Sequence, residues 1–178
     1  MTGILKVDQI QNNTGTEAIT IDANGFIVTP VRSAFLVGLT SSVTHTSGTV
    51  VDWSTSTGHG FDLNGDIDFA NNKFTAPVSG IYSMFATVAI ATGEYSRRAD
   101  IFPVINGTGI TTQYRARTNP DGDRTGGSSY LQVSGSWTLN LTKIDEVQIN
   151  VNWETDGTFD STETLFYHGT YWTGHFVG

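Results

Sequence analysis

Residues 73–85 read KFTAPVSGIYSMF. Phe74 lies on one strand, and Ile81, Tyr82, Met84 and Phe85 belong to the next, apolar one. Pro77 cannot donate to a strand ladder, so it belongs at a strand end or an edge. Gly80 offers the backbone freedom that a corner between two strands needs. A strand, a corner and a long apolar strand make an antiparallel β-sandwich the reading from which the rest of the chain is approached.

Outward from that corner the spacing is two, not three or four. Leu131, Val133, Trp137, Leu139 and Leu141 alternate with Gln132, Ser134, Ser136, Thr138 and Asn140. Val147, Ile149, Val151 and Trp153 alternate with Gln148, Asn150 and Asn152. Each pattern predicts a strand with one buried face. The run from Ile81 to Ile90 is apolar on both faces, which suits a central strand or one pressed against a neighbouring subunit. After Pro30, strands are expected near 33–39, 43–51, 60–69, 72–76, 80–91, 98–105, 109–117, 128–141, 146–154 and 165–177. Asn106-Gly107, Asn119-Pro120-Asp121-Gly122, Gly126-Gly127 and Asp156-Gly157 supply turns between them. Residues 1–30 contain three shorter runs, too little for a core of their own. The expected division is a β segment at 1–30 and a sandwich domain at 31–178.

The chain has 178 residues, no cysteine and a formal net charge of −8. Without cysteine there is no disulfide, thiol nucleophile or thiolate metal site. The negative charge argues against a nucleic-acid partner. No secretion signal opens the sequence and no apolar run approaches membrane-span length, so neither an animal extracellular protein nor membrane insertion is expected.

In order, AFLVGL (34–39), GTVVDW (48–53), FDLNGDIDFANNKFTAPVSGIY (61–82), VINGT (104–108), SWTLNLTKIDEVQI (136–149) and TYWTGHFVG (170–178) resemble the C1q/TNF-like globular head. The family's F-x5-G-x-Y core is matched by Phe74, Gly80 and Tyr82, with Met84 where an aromatic follows. Its late turn is matched by Leu141, Lys143, Asp145 and Val147, with Ile144 in place of the usual Gly, so that turn is expected to be reshaped. The resemblance implies an all-β, C1q/TNF-like jelly-roll sandwich that forms a homotrimer. Phe74, Tyr82, Met84, Phe85, Trp172 and Phe176 would be its core and trimer residues. There is no Gly-X-Y collagen repeat, so a complement role gains no support.

TGILKVDQIQNNTGTEAITIDANGFI (2–27) is similar to the opening of short virion proteins of tailed phages, especially marine phages and cyanophages. Together the two resemblances imply a non-enzymatic, homotrimeric virion structural protein. It would be a capsid decoration or head fibre that contacts other virion proteins such as capsid or tail. The alternative is a tail-fibre knob recognising a host-surface polysaccharide through loops near 54–60, 92–97 and 118–128.

Candidate chemistry is sparse. Asp62, Asn64, Asp66 and Asp68 would share one face of a strand and offer hard oxygens to Ca²⁺; the alternative is a solvated polar face. His45, His59, His168 and His175 show no ligand spacing. The sequence contains no nucleophile elbow and no phosphate-binding loop, so an enzyme is not expected. Arg97, Arg98, Arg115, Arg117 and Arg124 hold most of the positive charge. If strands 98–105 and 109–117 are neighbours, they form a basic patch, with Tyr95 nearby, for an acidic face of the next subunit or of another virion protein, or for an anionic glycan. Trp53, Tyr114, Tyr130, Trp153, Tyr167, Tyr171 and Trp172 are further candidate contact aromatics.

Overall fold

The computed structural model describes residues 7–11, 17–21, 23–28, 33–54, 60–92, 96–109, 115–118, 129–155 and 162–178. The chain divides into two units, Met1–Arg32 and Ser33–Gly178.

The first unit carries β1 (Gln9–Gln11), β2 (Glu17–Ile21) and β3 (Ile27–Val28), paired in that order as an antiparallel sheet. Ile10 stands opposite Ile19, and Ile21 opposite Ile27. Ile10 and Ile21 are exposed within the chain.

The second unit is two layers of antiparallel strands. Its first sheet contains β4 (Ala34–Gly38), β5 (Val43–Thr46), β7 (Phe61–Asp62), β10 (Gly80–Thr92), β14 (Ser129–Leu141), β16 (Thr162–Leu165) and β17 (Tyr171–Phe176). Its second contains β6 (Thr49–Val50), β8 (Ile67–Asp68), β9 (Lys73–Thr75), β11 (Ser96–Ile105), β12 (Thr108–Gly109), β13 (Ala116–Thr118) and β15 (Glu146–Thr155). β10 is the spine of the first sheet. β14 runs along its full length on one edge, and β17 and β16 share the other.

The alternation read from sequence is the alternation of burial. Leu131, Val133, Trp137, Leu139 and Leu141 are buried while the residues between them, apart from Gly135, are exposed. Val147, Ile149, Val151 and Trp153 are fully buried in the opposing sheet. A chain of aromatic rings joins the layers: Trp53 to Trp172 (5.8 Å), Trp172 to Phe35 (4.8 Å), Phe35 to Phe74 (5.2 Å), Phe74 to Tyr82 (5.4 Å) and Tyr82 to Phe176 (5.2 Å). The Tyr82 hydroxyl donates to Val78 O (2.8 Å), so this buried ring keeps its polar end satisfied.

The corner at 76–80 follows the sequence expectation. Pro77 lies between β9 and β10, and Gly80 opens β10 at φ 152°. A Cβ on Gly80 would stand 2.6 Å from Phe176 Cε2 and 2.8 Å from Gly178 O, so close approach of the last strand demands glycine here.

Three expected strands are broken. Segment 43–51 turns at Ser47-Gly48, 60–69 at Leu63–Gly65, and 165–177 at Tyr167–Gly169. The expected strand 109–117 is described only at its ends, where Gly109 pairs with Val104 and Ala116 with Ile101; its middle lies outside the described residues. The break at 63–65 overturns the shared face expected for Asp62, Asn64, Asp66 and Asp68. β7 pairs with β4 in the first sheet and β8 with β9 in the second, so the row spans a crossing between layers. Asp62 caps that crossing: Oδ1 accepts from Gly65 N (3.1 Å) and Asp66 N (3.0 Å), and Oδ2 from Ile67 N (2.9 Å). Asp68 caps the next turn by accepting from Ala70 N and Asn71 N. Both carboxylates satisfy backbone donors, the ordinary work of Asp in turns.

Ile144 differs from expectation in another way. It keeps the left-handed conformation that glycine favours, at φ 73°, rather than reshaping the turn. Ile144 N donates to Ala76 O, Asp145 N to Thr142 O, and Thr142 N back to Asp145 Oδ2. These bonds hold a β-branched residue where it is strained by about 1 kcal/mol.

Candidate functional site

β13 pairs with β11 antiparallel, with Ala99 opposite Thr118, Asp100 opposite Arg117 and Ile101 opposite Ala116. This pairing is the condition on which the basic patch depended. Ala99 and Ile101 belong to the core, and Ala116 packs against it. By alternation Arg98, Asp100, Arg115 and Arg117 lie on the face turned away from the core.

Three guanidinium groups converge there on one carboxylate. Arg98 donates to Asp100 through Nε (3.1 Å) and Nη2 (2.7 Å), Arg115 through Nη1 (3.0 Å) and Arg117 through Nε (2.8 Å). The Asp100 side chain is 0% exposed, whereas Arg98, Arg115 and Arg117 keep 25%, 24% and 44% of theirs in solvent. Burial pushes the Asp100 carboxyl up, but the hydrogen bonds and charges of Arg98 and Arg117 outweigh it and hold the carboxyl below its ordinary value. Three guanidinium groups thus surround one carboxylate, and Glu154 of β15 stands opposite Arg98 across the strands. The Arg115 guanidinium also lies 4.6 Å from the centre of the Phe102 ring, a cation–π contact that fixes its plane. Arg115 Nε is buried without a hydrogen-bond partner among the described residues.

Asp100 is the member that the sequence reading missed. Its signal was available: an acid inside an apolar strand, two residues from Arg98 and on the same face. Arg97 lies in β11, but its side chain is outside the described residues, as are Tyr95 and Arg124.

The first sheet has a different outer face. Along β10 the residues turned away from the core are Ile81, Ser83, Phe85, Thr87, Ala89 and Ala91. Phe85 packs against Tyr171 (5.7 Å), and Leu36, Tyr167, Thr170 and Tyr171 line a depression beside it. Thr87 is buried and accepts from Ser134 Oγ (2.8 Å) and Gln132 Nε2 (3.1 Å). Along β10 itself carbon and hydroxyl groups dominate, while the adjoining strands add the exposed side chains of Gln132, Asn140 and His175. Of the proposed contact residues, Phe85 and Phe176 are partly exposed, whereas Phe74, Tyr82, Met84 and Trp172 are core within one chain. Trp53 and Trp153 are also core, which removes them as contact aromatics. Tyr114 lies outside the described residues, as does the Tyr130 side chain.

Among the described residues, no three His, Asp or Glu side chains stand together as a metal site. His45 is buried beside Trp153; burial pushes its imidazole below the ordinary value, and Thr49 Oγ1 lies 3.0 Å from Nε2. Among the described residues no helix is long and apolar enough to cross a membrane.

No protein-family model matches the chain, and no curated protein matches it in sequence. Solved structures do match. The globular domain of zebrafish complement 1qA superposes with a TM-score of 0.61 at 18% identity, covering 83% of this chain and 98% of that one. The fold is a C1q/TNF-like jelly roll. Eiger TNF from S. frugiperda (TM-score 0.58, 8% identity, 83% and 92% covered) and murine APRIL (0.54, 13%, 82% and 99%) share it. At these identities the likeness concerns the jelly roll alone.

Proposed function

We propose that the chain is a non-enzymatic structural protein of a tailed-phage virion. Its jelly-roll domain associates as a homotrimer, and residues 1–30 attach it to capsid or tail. The observation that carries the trimer is the outer face of β10, where Ile81, Phe85 and Ala89 continue an apolar surface onto Leu36 and Tyr171. A threefold axis covers such a face with a closed, repeated contact. Ile10 and Ile21 of the separate β1–β3 unit are exposed within the chain and would gain a core by packing against other copies of that unit. The virion assignment is supported by the similarity of residues 2–27 to the opening of short phage virion proteins.

A second reading is favoured by the arginines around Asp100. As a tail-fibre knob, the domain would meet a host-surface polysaccharide on the sheet opposite the self-associating one.

Immunolabelling separates a virion component from other assignments. An antibody against the purified chain is expected to mark tailed particles in lysates of the cells that encode it. Label confined to cell surfaces or debris overturns the reading.

A further inference from the structure

Among the described residues, no outward strand position of the first sheet holds Asp, Glu, Lys or Arg, and one holds a histidine. We propose that protonation of this residue, His175, makes self-association through the face acid-labile, so that copies held together near neutral pH separate below about pH 6. The inference rests on the homotrimer reading above and adds its regulation.

Strand register places the imidazole. His175 stands opposite Ala34 of β4 and Ser83 of β10, and Ser83 stands opposite Thr138 of β14. The adjoining row runs Leu36, Thr173, Phe85 and Ser136, so His175 lies one row from Phe85. Its side chain is exposed within the chain. The chain carries 17 acidic and 9 basic residues, so two copies repel one another through most of their surface. An uncharged face is where a second copy approaches without that repulsion.

The titratable groups around His175 leave its cation without a facing carboxylate among the described residues. Asp62 of β7 pairs with Phe35 on the core side, and its oxygens accept from Gly65, Asp66 and Ile67. Glu163 of β16 pairs with His45, also on the core side. Gly178 O, at the chain end, accepts from Ile81 N (2.8 Å). Tyr171, on the same side of β17, brings a hydroxyl, and His168 stacks on Tyr167 (3.7 Å) in the turn before that strand. A cation in the closed contact therefore loses its hydration without gaining a partner. Free copies bind more protons than assembled ones, and association weakens as pH falls. With three such imidazoles in a trimer, the limit is about a thousandfold per pH unit.

Light scattering of the purified full chain at about pH 7.5 and about pH 5, with circular dichroism at both, tests the inference. The parent is expected at three times 19.2 kDa in the first buffer and at 19.2 kDa in the second, with its fold retained. His175→Gln assembles in both, His175→Lys in neither, and His168→Gln behaves as the parent.

A parent that stays trimeric at both values, or a trimeric His175→Lys, would overturn the acid response and leave the homotrimer reading standing. A monomeric parent at pH 7.5 would overturn that reading and the inference with it. Separation of His175→Gln in acid would place the proton elsewhere and overturn the assignment. Loss of the fold at pH 5 in parent and His175→Gln alike would point instead to His45, whose burial disfavours the charged imidazole, and overturn the assignment as well.

Discussion

The two outer faces of the sandwich are built from the same strand alternation and carry opposite chemistry. On the first sheet, the positions of β10 that turn away from the core are Ile81, Ser83, Phe85, Thr87, Ala89 and Ala91. On the second, Arg98 and Asp100 of β11 sit beside Arg115 and Arg117. An apolar face gains free energy when water leaves it and is nearly indifferent to salt. A charged face loses hydration on burial and is worth most against a matching charge. The first sheet is therefore the face suited to the proposed self-association, and the second the face suited to a charged partner.

The comparison breaks most sharply at Phe85. Phe85→Glu places a carboxylate at the centre of the proposed contact, so the assembly is expected to collapse to monomers. The side chain is only partly buried within the chain, so the fold should survive. Light scattering alongside circular dichroism checks both halves; a trimer that survives moves the contact elsewhere.

Asp100→Ala comes next. It leaves three guanidiniums facing one another without their acceptor, and a loss of about 3 kcal/mol is expected in urea unfolding of the domain. Oligomeric mass below the transition should not change. A loss under about 1 kcal/mol would make the cluster a surface feature rather than a built one.

Acid sharpens the same point with a smaller effect. The folded Asp100 carboxyl is held below its ordinary value of 3.8, so its contribution is fully present above that value and lost as pH falls through the folded one. Other carboxylates move in the same direction, including Asp68 and Asp145. The informative quantity is thus the difference between the parent and Asp100→Asn, expected to be constant from neutrality to about pH 4 and to shrink below it. A difference that already shrinks between pH 7 and pH 5 contradicts the arginine clamp.

The smallest change lies away from both faces. Ile144 is 74% exposed at φ 73°, so Ile144→Gly removes strain and little packing. It should raise stability by about 1 kcal/mol, read as a shift in the urea midpoint. No gain would mean that the turn bonds of Thr142 and Asp145 already absorb the strain.

Period-two alternation was legible wherever a strand had one wet face, as in 131–141 and 147–153. The corner at Pro77 and Gly80 was equally clear, because proline and glycine restrict backbone in ways that a single sequence displays. The breaks at 47–48, 63–65 and 167–169 were not. A continuous alternating string does not reveal that Asp62 turns its carboxylate back onto Gly65, Asp66 and Ile67 and sends the chain to the other layer. The arginines stand out by residue type, and their grouping follows from the pairing of β11 with β13. Their focus on Asp100 depends on the Asp100–Arg117 register, which local pattern does not encode.

The solution mass of the purified full-length chain, measured by light scattering at low and high salt, tests the division between the two faces most directly. The account expects three times 19.2 kDa, about 58 kDa, at both salt concentrations, because the contact is apolar. A mass of 19.2 kDa would leave the apolar face of β10 without its proposed partner and contradict the account.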